Sequence, residues 1–111
     1  MAKLEAKLHG SFSTVLSAID RAIQEGSFTA SLEDESRFQT QDGPVALRVY
    51  ERYSALGGNR VSLSVLLVQT GSGLRLSAIA SGGSQAMFFK VNTFGEESFL
   101  DTIRQAVDQF R

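Results

Sequence analysis

Between positions 45 and 81 apolar and polar residues alternate in three segments, with glycines in the gaps at Gly57-Gly58, at Gly71 and Gly73, and at Gly82-Gly83. A period of two sends successive side chains to opposite faces of a strand, and glycine supplies the backbone freedom that a tight turn needs. Gaps this short can join only antiparallel neighbours, because a parallel pair needs a long crossover. The segment is therefore read as an antiparallel meander, with strands from about Val45 to Leu56, Arg60 to Gln69 and Leu74 to Ser81.

The flanks complete the plan. Leu4, Ala6 and Leu8 alternate with Lys3, Glu5 and Lys7, which predicts a half-buried first strand. From Ser11 the period changes: Phe12, Val15, Leu16, Ile19, Ala22 and Ile23 lie on one helical stripe, with Ser11 or Ser13 as cap and Gly26 as a left-handed terminator. Phe28, Ala30 and Leu32 alternate with polar neighbours over residues 27–38, and "TQDGP" then reads as a turn. A short apolar stretch around Met87 to Val91 precedes a last helix with the stripe Phe99, Leu100, Ile103, Ala106, Val107 and Phe110, and Thr93 and Glu96 have capping-box spacing. The expected class is α+β, one two-layer domain over residues 1–111. It has an antiparallel sheet of five to six strands with both helices on one face, in the order β-α-β-β-β-β-(β)-α.

Register follows from parity. If Gly71-Ser72 is a two-residue type II′ turn, Leu67 faces Leu76, Val65 faces Ala78 and Leu63 faces Ala80. At the other hairpin a two-residue turn would bury Arg48, Tyr50 and Arg52. A three-residue loop, Gly57-Gly58-Asn59, places Val49 opposite Leu67 and Tyr53 opposite Leu63, and burying apolar rather than charged groups favours it.

Composition removes several functions. A formal net charge of −1 gives no electrostatic reason to expect nucleic acid or an anionic membrane as partner. With no cysteine there is no disulfide, thiolate zinc site or cysteine nucleophile. The N-terminus mixes both signs of charge, unlike a signal peptide, and the longest strongly apolar run, "VLLV", cannot span a bilayer, so a cytoplasmic setting is expected.

Two segments, "VYERYSALGGNRVSL" and "SGGSQAMFFKVNTFGEESFL", resemble an uncharacterised bacterial family of about this length, a domain of unknown function. That resemblance implies a fold and no catalytic residues. The element order resembles the TATA-binding-protein-like and helix-grip group, in which a sheet grips a C-terminal helix; such folds host unrelated functions.

Candidate sites are few. Gly82, Gly83 and Ser84 could form an anion nest, but the lysine of a phosphate loop is missing there, and a turn is the simpler reading. "GSGLRL" at 71–76 lacks the last glycine of a dinucleotide fingerprint. Glu51, on the parity of Val49 and Val65, would be a carboxylate among apolar neighbours and a candidate acid or base, unless a bulge at Tyr50-Glu51 turns it to water. Arg48, Tyr50 and Arg52 share the opposite face with Ser62, Ser64, Leu66 and Val68, a mixed surface suited to self-association or a ligand. "LEDES" at 32–36 lacks the spacing of a calcium loop and reads as a charged strand end, and His9 reads as a surface residue with no relay; no metal site and no cofactor are expected. Phe88 and Phe89 are read as core under the last helix.

The leading expectation is a small non-catalytic binding module, a homodimer through the open sheet face or a binder of an apolar or anionic small ligand. The alternative is an enzyme with Glu51 as acid or base and Arg48, Arg52 or Arg60 orienting an anionic substrate. Nucleic-acid binding through the sheet ranks third.

Overall fold

The computed structural model describes residues 1–53, 60–82 and 91–111, with side chains of the last helix from Gly95 onward. The alternation at the N-terminus forms β1 (Ala2–Leu8), with Ala2, Ala6 and Leu8 buried and Lys3, Glu5 and Lys7 in solvent. The change to helical period begins α1 (Phe12–Gly26), where Ser11 caps the first turn by accepting a hydrogen bond from the Thr14 amide at 3.1 Å. Phe12, Val15, Leu16, Ile19 and Ile23 are its buried stripe, as the spacing predicts. Gly26 is the last helical residue, but its φ is not positive and the chain leaves through an extended Ser27. Glycine serves there for closeness instead: a Cβ on Gly26 would lie 3.1 Å from the Thr102 side chain.

Four strands follow: β2 (Ser31–Thr40), β3 (Gly43–Tyr53), β4 (Arg60–Thr70) and β5 (Gly73–Gly82), and then α2 (Val91–Gln109). The sheet has five antiparallel strands in the order β1-β5-β4-β3-β2, so the class is α+β and the chain order β-α-β-β-β-β-α. The stretch expected to add a sixth strand lies mostly in residues 83–90, outside the described residues, and its last member, Val91, opens α2. Because the helix starts at Val91, Thr93 is inside it rather than at its cap. Glu96 is buried instead, its Oε1 2.6 Å from the amino terminus of Met1.

The β4–β5 register matches expectation, with Leu67 opposite Leu76, Val65 opposite Ala78 and Leu63 opposite Ala80. Its turn has two residues, Gly71 and Ser72, but positive φ belongs to Gly73 (+149°), not Gly71, so the turn is not type II′. A Cβ on Gly73 would meet the Leu8 carbonyl oxygen at 3.0 Å, which closes β5 tightly onto β1.

The β2–β3 region departs from expectation in two ways. The strand expected over residues 27–38 starts at Ser31, four residues later, and Phe28 is exposed. Pro44 is not in the turn, which is Gln41-Asp42; it stands in β3 opposite Gln39, just before β3 begins to pair with β4 at Val45, so no ladder donor is lost on that side.

Both helices lie on one face of the sheet. α2 packs over β1, β5 and β4, and α1 lies beside α2 against β4. Leu8, Val15, Ile19, Ile23, Val61, Leu63, Leu67, Leu74, Phe99, Leu100 and Ile103 are among the largest wholly buried aliphatic and phenyl groups of the core they enclose. The β2–β3 hairpin reaches beyond this cover, and every residue of β2 is exposed. No helix among the described residues is long and apolar enough to cross a membrane.

Candidate functional site

The two faces of β3 carry the residues that matter, and the ladder decides which face each one takes. β3 pairs with β4 so that Ala46 faces Leu67, Arg48 faces Val65, Tyr50 faces Leu63 and Arg52 faces Val61. The expected register, with Val49 opposite Leu67, is displaced by three residues, an odd number that exchanges the two faces. Arg48, Tyr50 and Arg52 therefore point to the helix side, away from Ser62, Ser64, Leu66 and Val68. The residues 54–59 that would have formed the three-residue loop lie outside the described residues, as do Gly83, Ser84, Phe88 and Phe89. Gly82 is the last residue of β5, with φ +140° and its Cα facing the Arg60 carbonyl.

Arginines resist burial, which is what favours the other register; here each polar tip is partnered instead. Tyr50 is wholly buried, filling space between β3 and α1, and its hydroxyl donates to Asp20 Oδ1 of α1 at 2.8 Å. Arg48 donates to the Tyr50 hydroxyl at 3.4 Å, and its Nε lies 2.6 Å from Glu35 Oε2 of β2, which also takes Arg37 Nε at 2.9 Å. Arg52 lays its guanidinium 4.5 Å from the centre of the Phe99 ring and donates to Ser98 Oγ at 2.9 Å, both on α2.

This chain of groups is a clasp between α1 and the projecting hairpin. Burial pushes the Tyr50 hydroxyl up to about 12, with the bond to Asp20 adding to the rise and Arg48 opposing it, so near neutral pH it is a fixed donor. Glu35 is held below the ordinary carboxylate range, first by its hydrogen bond from Arg48 and then by Arg37. Burial lowers the Arg52 guanidinium. Neutral tyrosine and paired carboxylates hold the hairpin in place.

The helix-free face carries a different set. Its cross-sheet rows read Asp34, Val49, Ser64, Ile79, Lys3; then Ser36, Leu47, Leu66, Ser77, Glu5; then Phe38, Val45, Val68, Arg75, Lys7. Phe38, Leu47 and Ile79 are exposed large apolar residues, and Val45, flanked by Phe38 and Val68, is buried yet outside the main core cluster. Ser64 is thus on a partly apolar surface, but with Leu47 and Val49 rather than with the arginines. Glu51 shares the parity of Val49, as expected, yet it faces Ser62 on this open side rather than joining Val65. No bulge turns it out; the irregularity is across the ladder in β2, between Leu32 and Asp34. Its carboxylate is ion-paired with Arg60, which also lies over the Tyr53 ring at 5.6 Å. Of the residues read as candidates, the structure joins Glu51 to Arg60 and Arg48 to Tyr50, and separates those pairs by the thickness of the sheet.

Asp20 and Glu35 are the members of the clasp that sequence reasoning missed. Asp20 follows Ile19 at the margin of the α1 stripe, and nothing local marks it, since its partner is 30 residues away. Glu35 sits in the acidic run, where its spacing from Arg37 shows only a same-face pair. Among the described residues no group of three His, Asp or Glu side chains is close enough to hold a metal ion.

No curated protein and no solved structure matches the chain. A family model does, over residues 1–111, in line with the resemblance to an uncharacterised family of about this length. On that match the chain belongs to the family of unknown function DUF6054.

Proposed function

We propose that this protein is a small non-catalytic binding module that associates with a second copy of itself through the helix-free face of the sheet. The observation that carries the reading is the patch of Phe38, Val45, Leu47, Leu66, Val68 and Ile79, apolar on a face that no described element of the chain covers.

Two features favour a second copy as occupant. Five strands ~4.8 Å apart and roughly ten residues long at ~3.3 Å each present a face of about 800 Å2, the share that one partner gives to a standard interface. The charges are also self-complementary. Lys3, Lys7 and Arg75 lie toward the β1 edge and outnumber Glu5 there, whereas Asp34 lies at the β2 edge. A two-fold axis parallel to the strands would lay the β1 edge of one copy over the β2 edge of the other, bringing Lys3 above Asp34.

The catalytic alternative has less support, because Glu51 is bound to Arg60 while Arg48 and Arg52 lie on the other side of the sheet. Nucleic-acid binding has less still, since Glu5, Asp34 and Glu51 share the open face with its cations.

The test is the mass in solution by light scattering and native mass spectrometry, for the wild type and for Leu47→Glu and Leu66→Glu. A dimeric wild type and monomeric variants with unchanged circular dichroism are expected. A monomeric wild type at high concentration, or a dimer indifferent to both substitutions, would overturn the proposal.

A further inference from the structure

At the end of the sheet where β1 meets the β4–β5 turn there is a half-open cavity of about 170 Å3, lined by Lys7, Leu8, His9, Thr70, Ser72, Gly73, Leu74 and Arg75. Three of its side chains are nitrogen donors, Lys7, His9 and Arg75, and none is a carboxylate. Lys7 and Arg75 are directly opposite each other in the β1–β5 ladder, an arrangement that costs stability when the charges are alike. Arg37, Arg48, Arg60, Arg104 and Arg111 each lie against a carboxylate, whereas Arg52 has Ser98 and the Phe99 ring instead. Among the described residues Lys7 and Arg75 have none within ion-pair distance, although Glu5 is only two residues from Lys7 in β1.

The backbone contributes as well. The close approach of Gly73 to Leu8 brings the β4–β5 turn against the end of β1, so that Ser72 and His9 line the same cavity. The Thr70 hydroxyl is occupied, donating to the Gly73 carbonyl at 3.0 Å and accepting from the Ser72 amide at 3.4 Å, which fixes the turn in place.

We infer that this pocket binds the phosphate group of a small phosphomonoester. A tetrahedral dianion accepts from several donors at once and relieves the repulsion between Lys7 and Arg75. The size suits a group rather than a molecule, for pockets that enclose whole ligands run to roughly 300–1,000 Å3. The opening on one side leaves room for the ester substituent to remain in solvent. Lys7 and Arg75 supply charge, His9 and Ser72 direct hydrogen bonds, and no bond in the ligand is made or broken.

The experiment is an NMR titration of the amide spectrum with inorganic phosphate, glycerol 3-phosphate, acetate and chloride at matched ionic strength. Saturable shifts at His9, Ser72 and Gly73 are expected with both phosphates, the ester binding at least as tightly as the free ion. Lys7→Gln and Arg75→Gln should each weaken binding by roughly tenfold, the size of one charge-assisted hydrogen bond. Arg104→Gln, whose ion-pair partners among the described residues are Glu97 and Asp101, should leave it unchanged. The same spectra report whether each variant is folded. Equal shifts with chloride, or wild-type affinity in both pocket variants, would overturn the site. Acetate as effective as phosphate would overturn the phosphate assignment, and an ester weaker than the free ion would overturn the ester.

Discussion

The two halves of this sheet are built from strands of similar length and held by different forces. In the half formed by β1, β5 and β4, the helix side is apolar and covered: Leu4, Ala78 and Val65 form one row, Ala6, Leu76 and Leu67 the next. Continue either row into β3 and β2 and it becomes Arg48 and Glu35, or Ala46 and Arg37. Burial stabilises the first half through area removed from water, at about 25 cal/mol per Å2. The second half has β2 exposed throughout and depends on backbone pairing and the Asp20–Tyr50–Arg48–Glu35 clasp. A sheet can thus extend past its helices when polar side chains with specific partners replace the missing cover.

That contrast can be broken most directly by truncation. Leu63→Ala, in the covered half, should cost about 3 kcal/mol in urea unfolding, whereas Phe38→Ala on the exposed hairpin should cost no more than about 0.5 kcal/mol. Equal losses would mean that both halves share one core.

Alkaline pH tests the clasp alone. The Tyr50 hydroxyl is raised from its usual 10.0 to about 12, so its neutral form is favoured in the fold. Its contribution is fully present below pH 10 and is lost as pH rises toward 12, in total roughly 2–3 kcal/mol. In Tyr50→Phe that alkaline loss should disappear, while stability at neutral pH falls by about 1–2 kcal/mol because Asp20 loses its donor. An unchanged alkaline profile would show that the hydroxyl does not link α1 to β3.

Gly26→Ala tests the closeness of the helices. The new methyl would sit 3.1 Å from both Cβ and Cγ2 of Thr102, and a loss of about 1 kcal/mol is expected, recovered in part in the double variant with Thr102→Ser, which removes Cγ2 alone. The smallest effect belongs to Glu35. Its carboxyl is lowered in the fold, so its contribution is present above the unfolded-state value and is lost as pH falls through the folded one. Because the carboxylate is partly exposed, Glu35→Gln should flatten the acid limb of the stability curve by less than about 1 kcal/mol.

Much of the covered half is legible in the amino-acid order. The α1 stripe, the β4–β5 register and the α2 stripe depend on residues close in sequence, and Leu63, Val65 and Leu67 have apolar partners at every matching position. The β3–β4 pairing is not legible in the same way, because parity weighs apolar against charged residues and in this hairpin both faces contain both kinds. Val45, Leu47 and Val49 alternate with Ala46, Arg48 and Tyr50, so a rule that buries the apolar set chooses the wrong side. Arg48, Tyr50, Arg52 and Glu51 therefore stand out in the sequence as informative residues, yet parity assigns them to exchanged faces. The pocket at Lys7, His9 and Arg75 has no local signature either, since it exists only where β1 and β5 meet.

Which side chains within each strand or helix travel together is written in the order of residues, because it follows from backbone geometry at a period of 2.0 or 3.6. Which of the two sets in β3 turns inward is not written there and is settled by packing in three dimensions. A shift by an odd number of residues exchanges the faces at no local cost, and the choice is made by distant partners, Asp20 for Tyr50, Glu35 for Arg48 and Phe99 for Arg52.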